Sequence, residues 1–115
     1  MKLIIAIIRE NQLDQVREGL IAAGISRITV SHVSGHGRAN GEGEIYRGQK
    51  VVPNLTPGAR IEIAVNDDYV DRTVEAIQNA TQSNDGEFVG SGKIMIMPLD
   101  DVIRIRTGER GADAI

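Results

Sequence analysis

The residues best able to do chemistry in this chain are basic side chains set among glycines. Gly90-Ser91-Gly92-Lys93 places two glycines just before a lysine at the start of an apolar run. Glycine lets backbone N–H groups converge on an anion, and the lysine adds a point charge. This is not a Walker A loop, because the spacing differs and Ile94 stands where a Ser or Thr is needed. A plain turn would use the same residues. Arg104 and Arg106 lie two apart in IRIR, so an extended backbone would point both guanidinium forks one way. A solvated edge strand would carry them as well. Gly35-His36-Gly37-Arg38 gives a third glycine-flanked base. Each piece is ordinary alone; together they favour an anionic nucleotide as ligand.

Catalytic constellations are missing. The chain has no Cys, no HExxH and no persuasive Ser-His-Asp spacing. His32 and His36 are its only histidines, too few for a metal site, and a structural or solvent-facing role suits them. Asp67-Asp68 and Asp100-Asp101 stand at apparent element starts, where capping and dipole compensation account for them. A binding protein is therefore expected over an enzyme. At 115 residues with 41% hydrophobic content, the chain is read as one domain over 1–115. A net charge of −3 and 3% aromatic content argue against nucleic acid as partner. The opening MKLIIAII stops at Arg9 and Glu10, too short to span a bilayer and with no cleavage site after it. A cytoplasmic protein, not itself membrane-embedded, is expected.

The elements that must position these residues follow from periodicity. Lys2 to Ile8 reads as a central strand covered on both faces. Asn11 is the expected N-cap of a helix whose Leu13, Val16, Leu20 and Ile21 repeat at helical spacing, with Gly24 as its left-handed stop. Arg27 to Ser34 and Ala59 to Val65 alternate as half-buried strands, the second with Ile61, Ile63 and Val65 on one face and Arg60, Glu62 and Ala64 on the other. Asp67 or Asp68 would cap a second helix, with Val70, Val74 and Ile77 as its buried stripe. Lys93 to Met97 closes the set as a strand. The order β-α-β-β-α-β is the ferredoxin-like, split-βαβ plan of the α+β class. Between its second and third strands, Gly35 to Pro57 holds five Gly and three Arg or Lys. Loops longer than about 12–15 residues in compact domains are usually functional or disordered. Strand one offers apolar residues to both sides, and Met95 and Met97 oppose Ile94 and Ile96. That surplus predicts a homo-oligomer.

Over essentially its whole length the chain resembles the PII signal-transduction proteins. The matching segments are KLIIAII, LDQVREGL, ITVSHVSGHGR, GEIYRG, PGARIEIAVNDDYVD, GSGKI and VIRIRTGERGADAI. The resemblance implies a homotrimer with ATP or ADP in clefts between subunits and an effector loop at about 36–57 that controls a partner. The phosphates would meet Arg38 and the Gly90-Ser91-Gly92-Lys93 loop of one subunit and Arg104 and Arg106 of its neighbour, with Gly35 and Gly37 allowing close backbone approach and His36 between them in the nucleotide site. Ile7, Thr29, Glu62 and Ala64 would line the base and ribose end. Tyr46 and Arg47 are the expected partner contacts, and the partner implied is an ammonium or other membrane transporter.

The departures are as informative. Ala39 stands where most members have the glutamine that ligates Mg2+ beside 2-oxoglutarate, and Gly58 where they have the lysine that pairs with its carboxylate. Losing an oxygen ligand and a counter-charge predicts a weak or absent 2-oxoglutarate response, and leaves Mg2+ open. Val51 replaces the tyrosine uridylylated in many relatives, and Gln49 the serine phosphorylated in others. Slow ATP hydrolysis is the enzymatic alternative, without an evident catalytic base.

Overall fold

The computed structural model of the chain describes residues 1–36, 45–46, 49–50, 55–82 and 92–115. In chain order the elements are β1 (Lys2–Arg9), α1 (Leu13–Ala22), β2 (Thr29–Gly35), β3 (Ile45–Tyr46), β4 (Gln49–Lys50), β5 (Thr56–Val65), α2 (Val70–Thr81) and β6 (Lys93–Pro98). β1 lies inside a four-stranded sheet of order β2-β5-β1-β6, and every pairing in it is antiparallel. With its two helices this is a small α+β fold, consistent with the ferredoxin-like plan.

Period-2 alternation sorts the strand residues onto two faces. Ile4, Ala6 and Ile8 of β1 pair with Ile63, Ile61 and Ala59 of β5, and all six are buried. Val16 and Leu20 of α1 and Ile77 of α2 close over them, with Val30 and Ile94 packed at the margins. Fully burying one such aliphatic side chain contributes about 1.5–3 kcal/mol. The helices meet closely at Gly19, where an added Cβ would lie 3.4 Å from the carbonyl oxygen of Ala76. After α1, Gly24 adopts φ +86°, the left-handed stop expected of it.

Local details correct the sequence expectations. Asn11 does not cap α1. A single 3-10 turn, Glu10–Gln12, precedes the helix, and the Gln12 side chain reaches back to accept from the Arg9 N–H at 3.1 Å. Neither Asp67 nor Asp68 caps α2, because they fall inside a second 3-10 turn whose N-cap is Asn66. Asp67 instead accepts from the Met1 ammonium at 2.8 Å. Ile21 leaves the buried stripe and is 60% exposed. On α2 it is Thr73, not Val74, that is fully buried, its hydroxyl donating to the Tyr69 carbonyl at 2.6 Å. That bond is what allows a hydroxyl in the core. The 36–57 stretch holds a short ladder of its own, with Ile45 opposite Lys50 and Tyr46 opposite Gln49.

Candidate functional site

The register gathers predicted site residues on the sheet face away from the helices. Directly opposed residues of an antiparallel pair project to the same side. One row across the face is therefore Thr29, Glu62, Ile5 and Met95, and the next is Ser31, Arg60, Ile7 and Lys93. Ala64, Leu3 and Met97 make a third. Ile7, Thr29, Glu62, Ala64 and Lys93 thus share one surface, although they come from four strands.

Lys93 is exposed and, among the described residues, forms no ion pair. Just before it, a Cβ built on Gly92 would run into the carbonyl oxygen of Ile7. Backbone meets backbone there, so only glycine lets the chain enter β6 along this path. A close-approach glycine beside an uncommitted ammonium suits an anion, and these residues fit a nucleotide phosphate.

Other predicted residues lie apart within the single chain. Gly35 is the last residue of β2, opposite Thr56, and His36 follows it, exposed. Gly35 is four residues beyond Ser31, about 13 Å along the strand. Gly37, Arg38, Arg47, Gly90 and Ser91 fall outside the described residues, as does the side chain of Tyr46. Ala39 and Val51 do too.

The C-terminal segment differs from the extended IRIR expected. The Arg104 N–H donates to the Glu109 carbonyl at 2.9 Å, the Gly108 N–H to the Arg104 carbonyl at 2.8 Å, and Ile103 bridges Arg110. A turn over residues 105–107 therefore separates Arg104 from Arg106, and the two do not share a strand face. The Arg104 Nη1 lies 3.5 Å from Glu109 Oε1, whereas Arg106 has no ion pair among the described residues. Asp101 ties the hairpin shut: its Oδ1 accepts from the Val102 and Gly111 N–H groups, and Arg110 Nε donates to its Oδ2 at 2.8 Å. The Arg110 bond, then that from Val102, holds the Asp101 carboxyl below its ordinary range. Asp67 is lowered too, first by its hydrogen bond from the terminal ammonium.

Much of the apolar surface beside these groups is uncovered. Met95 is 37%, Met97 44% and Ile103 55% exposed, and Ile105 is bare. Two concavities of the chain, one across α1 and α2 and one beside Gly24 and Ile115, contain neither Lys93 nor Arg104 nor Arg106. One residue escaped the sequence reading. Arg60 joins the same surface, its Nε 2.9 Å from Glu62 Oε1. The signal for it was opposite charge at i and i+2 of a strand.

The structure is thus a helix-backed antiparallel sheet whose open face carries Lys93, the Arg60–Glu62 pair and exposed apolar side chains. The family described as "Nitrogen regulatory protein P-II" matches residues 1–109. The chain is 50% identical to nitrogen regulatory protein GlnK1 of Methanosarcina mazei, over all of this chain and 97% of that protein. It is 45% identical to nitrogen regulatory protein P-II of Azospirillum brasilense, over the full length of both. To nitrogen regulatory protein P-II 2 of Methanothermobacter thermautotrophicus it is 47% identical, over all of this chain and 97% of that one. The chain belongs to the nitrogen regulatory protein P-II family. Members of this family are regulators rather than enzymes, bind adenine nucleotides and act through partner proteins. Among the described residues, no helix is long and apolar enough to cross a membrane.

Proposed function

We propose that the protein is a homotrimeric signal-transduction regulator of nitrogen metabolism that binds ATP and ADP in clefts between subunits. Its 36–57 loop passes the nucleotide state to a partner protein, an ammonium transporter or another membrane transporter, from the cytoplasmic side. The observation that carries this reading is the gathering of Ile7, Thr29, Glu62, Ala64 and Lys93 on one open face, next to exposed Met95 and Met97. A second protomer laid on that face would cover the apolar surface and bring foreign arginines, Arg104 and Arg106, to the lysine. Arg38, Gly90 and Ser91 would complete the phosphate grip, and Tyr46 and Arg47 the partner contact.

Gly58 supports a weak 2-oxoglutarate response. It pairs with Arg9 and Val33, and a Cβ there would lie 3.1 Å from the Ile8 carbonyl oxygen. Glycine itself has no side chain with which to meet a carboxylate, and a larger residue here would need the Ile8 carbonyl to shift by a few tenths of an ångström. Titration calorimetry with ATP, ADP and then 2-oxoglutarate plus Mg-ATP tests the reading. Nucleotide binding without a micromolar 2-oxoglutarate response is expected; silence toward both nucleotides, or a monomer by light scattering, would refute it.

A further inference from the structure

We propose that Arg60 is a positioning residue of the nucleotide site, holding and neutralising the Glu62 carboxylate so that the open face attracts polyphosphate. The proposal rests on the nucleotide reading above and adds a residue and an electrostatic role to it. Arg60 Nε donates to Glu62 Oε1 at 2.9 Å, and both side chains are 40% exposed, so the pair faces an incoming ligand.

The register sets what surrounds it. Arg60 stands between Ser31 and Ile7, and Lys93 lies on the far side of Ile7. Glu62 stands between Thr29 and Ile5 in the adjacent row. The lysine and the carboxylate are thus two strand spacings and two residues apart, about 12 Å. That exceeds the Debye length of about 8 Å in physiological salt, so a bare carboxylate opposes an anion drawn to Lys93 chiefly at low ionic strength. Arg60 removes that opposition, and by engaging one carboxylate oxygen it fixes the direction of the group. Arg60 touches no reacting or ligand atom in this scheme; it acts through Glu62.

The test is calorimetric titration of the full-length assembled protein with ATP and ADP at low and high salt. The variants are Arg60→Met and Arg60→Lys. Leaving the carboxylate uncompensated is expected to weaken ATP binding about fivefold at low salt, the upper range for a half-exposed ion pair. ADP should lose less, and the defect should shrink at high salt. Arg60→Lys, which keeps a charge and a donor beside Glu62, should retain most of the affinity. A misfolded variant would show no such salt dependence. Wild-type affinity in Arg60→Met at low salt, or a defect in Arg60→Lys as large as that in Arg60→Met, overturns the proposal and leaves the nucleotide reading standing. Failure of the wild type itself to bind either nucleotide overturns both.

Discussion

The two faces of this sheet are made of alternate residues of the same strands, and they are finished to very different degrees. Toward the helices, Ile4, Ile61 and Ile63 keep almost no exposure. On the other side Ile5 is buried, but it lies outside the main core cluster, and Met95 and Met97 beside it stay open to water. The covered face is complete within one chain. The open face mixes apolar rows with Lys93, Arg60 and Glu62, a composition that suits the protein neighbour and charged ligand proposed for it. Stability rests on the covered side, and the proposed recognition on the open one.

The largest expected effect comes from breaking the covered side. Ile61→Ala should lower unfolding free energy by about 2–5 kcal/mol in urea titrations, since nothing can refill the cavity. Met95→Ala should leave the protomer's melt nearly unchanged while weakening self-association by light scattering. Equal effects of the two would erase the distinction between the faces. Next in size, Lys93→Ala should weaken ATP and ADP binding by about tenfold or more, as loss of a charged phosphate contact costs about 1.5–3 kcal/mol. Unchanged calorimetric affinity would remove the lysine from the site. Gly92→Ala forces the β6 entry away from Ile7 and should cost about 1–3 kcal/mol, with nucleotide affinity falling alongside. A variant that binds normally would show that this approach is not needed by the ligand.

The smallest effect is one of pH. Asp101 has a lowered pKa in the fold. Its stabilising bonds are therefore fully present above the ordinary value of 3.8 and are lost as pH falls through the lowered one. The amide resonances of Val102 and Gly111 should shift together only in that acid range, and Asp101→Asn should remove the transition. A midpoint at or above the ordinary value would contradict the hairpin geometry.

How much of this was legible in the chain depended on the range of the interaction. Alternation in RIEIAV separated Ile61 and Ile63 from Arg60 and Glu62 correctly, because side-chain period is local to the backbone. Gly24 was legible for the same reason. The caps were not: Gln12 reaches back to Arg9, and Asn66 precedes Asp67, where preference rules favour the nearer Asn and Asp. IRIR alternates like a strand, yet a carboxylate nine residues from its arginine partner closes it into a hairpin, with Gly108 at φ +74°. The Ile45–Tyr46 ladder was hidden by glycines that read as loop. Lys93 and Ile7 could be named separately, but only the pairing register made them neighbours.

β6 is the sheet's outermost strand on its side, and it runs only from Lys93 to Pro98. A lysine at one end and a residue without an N–H at the other are devices that discourage endless strand addition. Sticky as its methionines are, this border is interrupted at both ends. Pairing along this border is thereby made to stop after a few bonds rather than to run on from copy to copy.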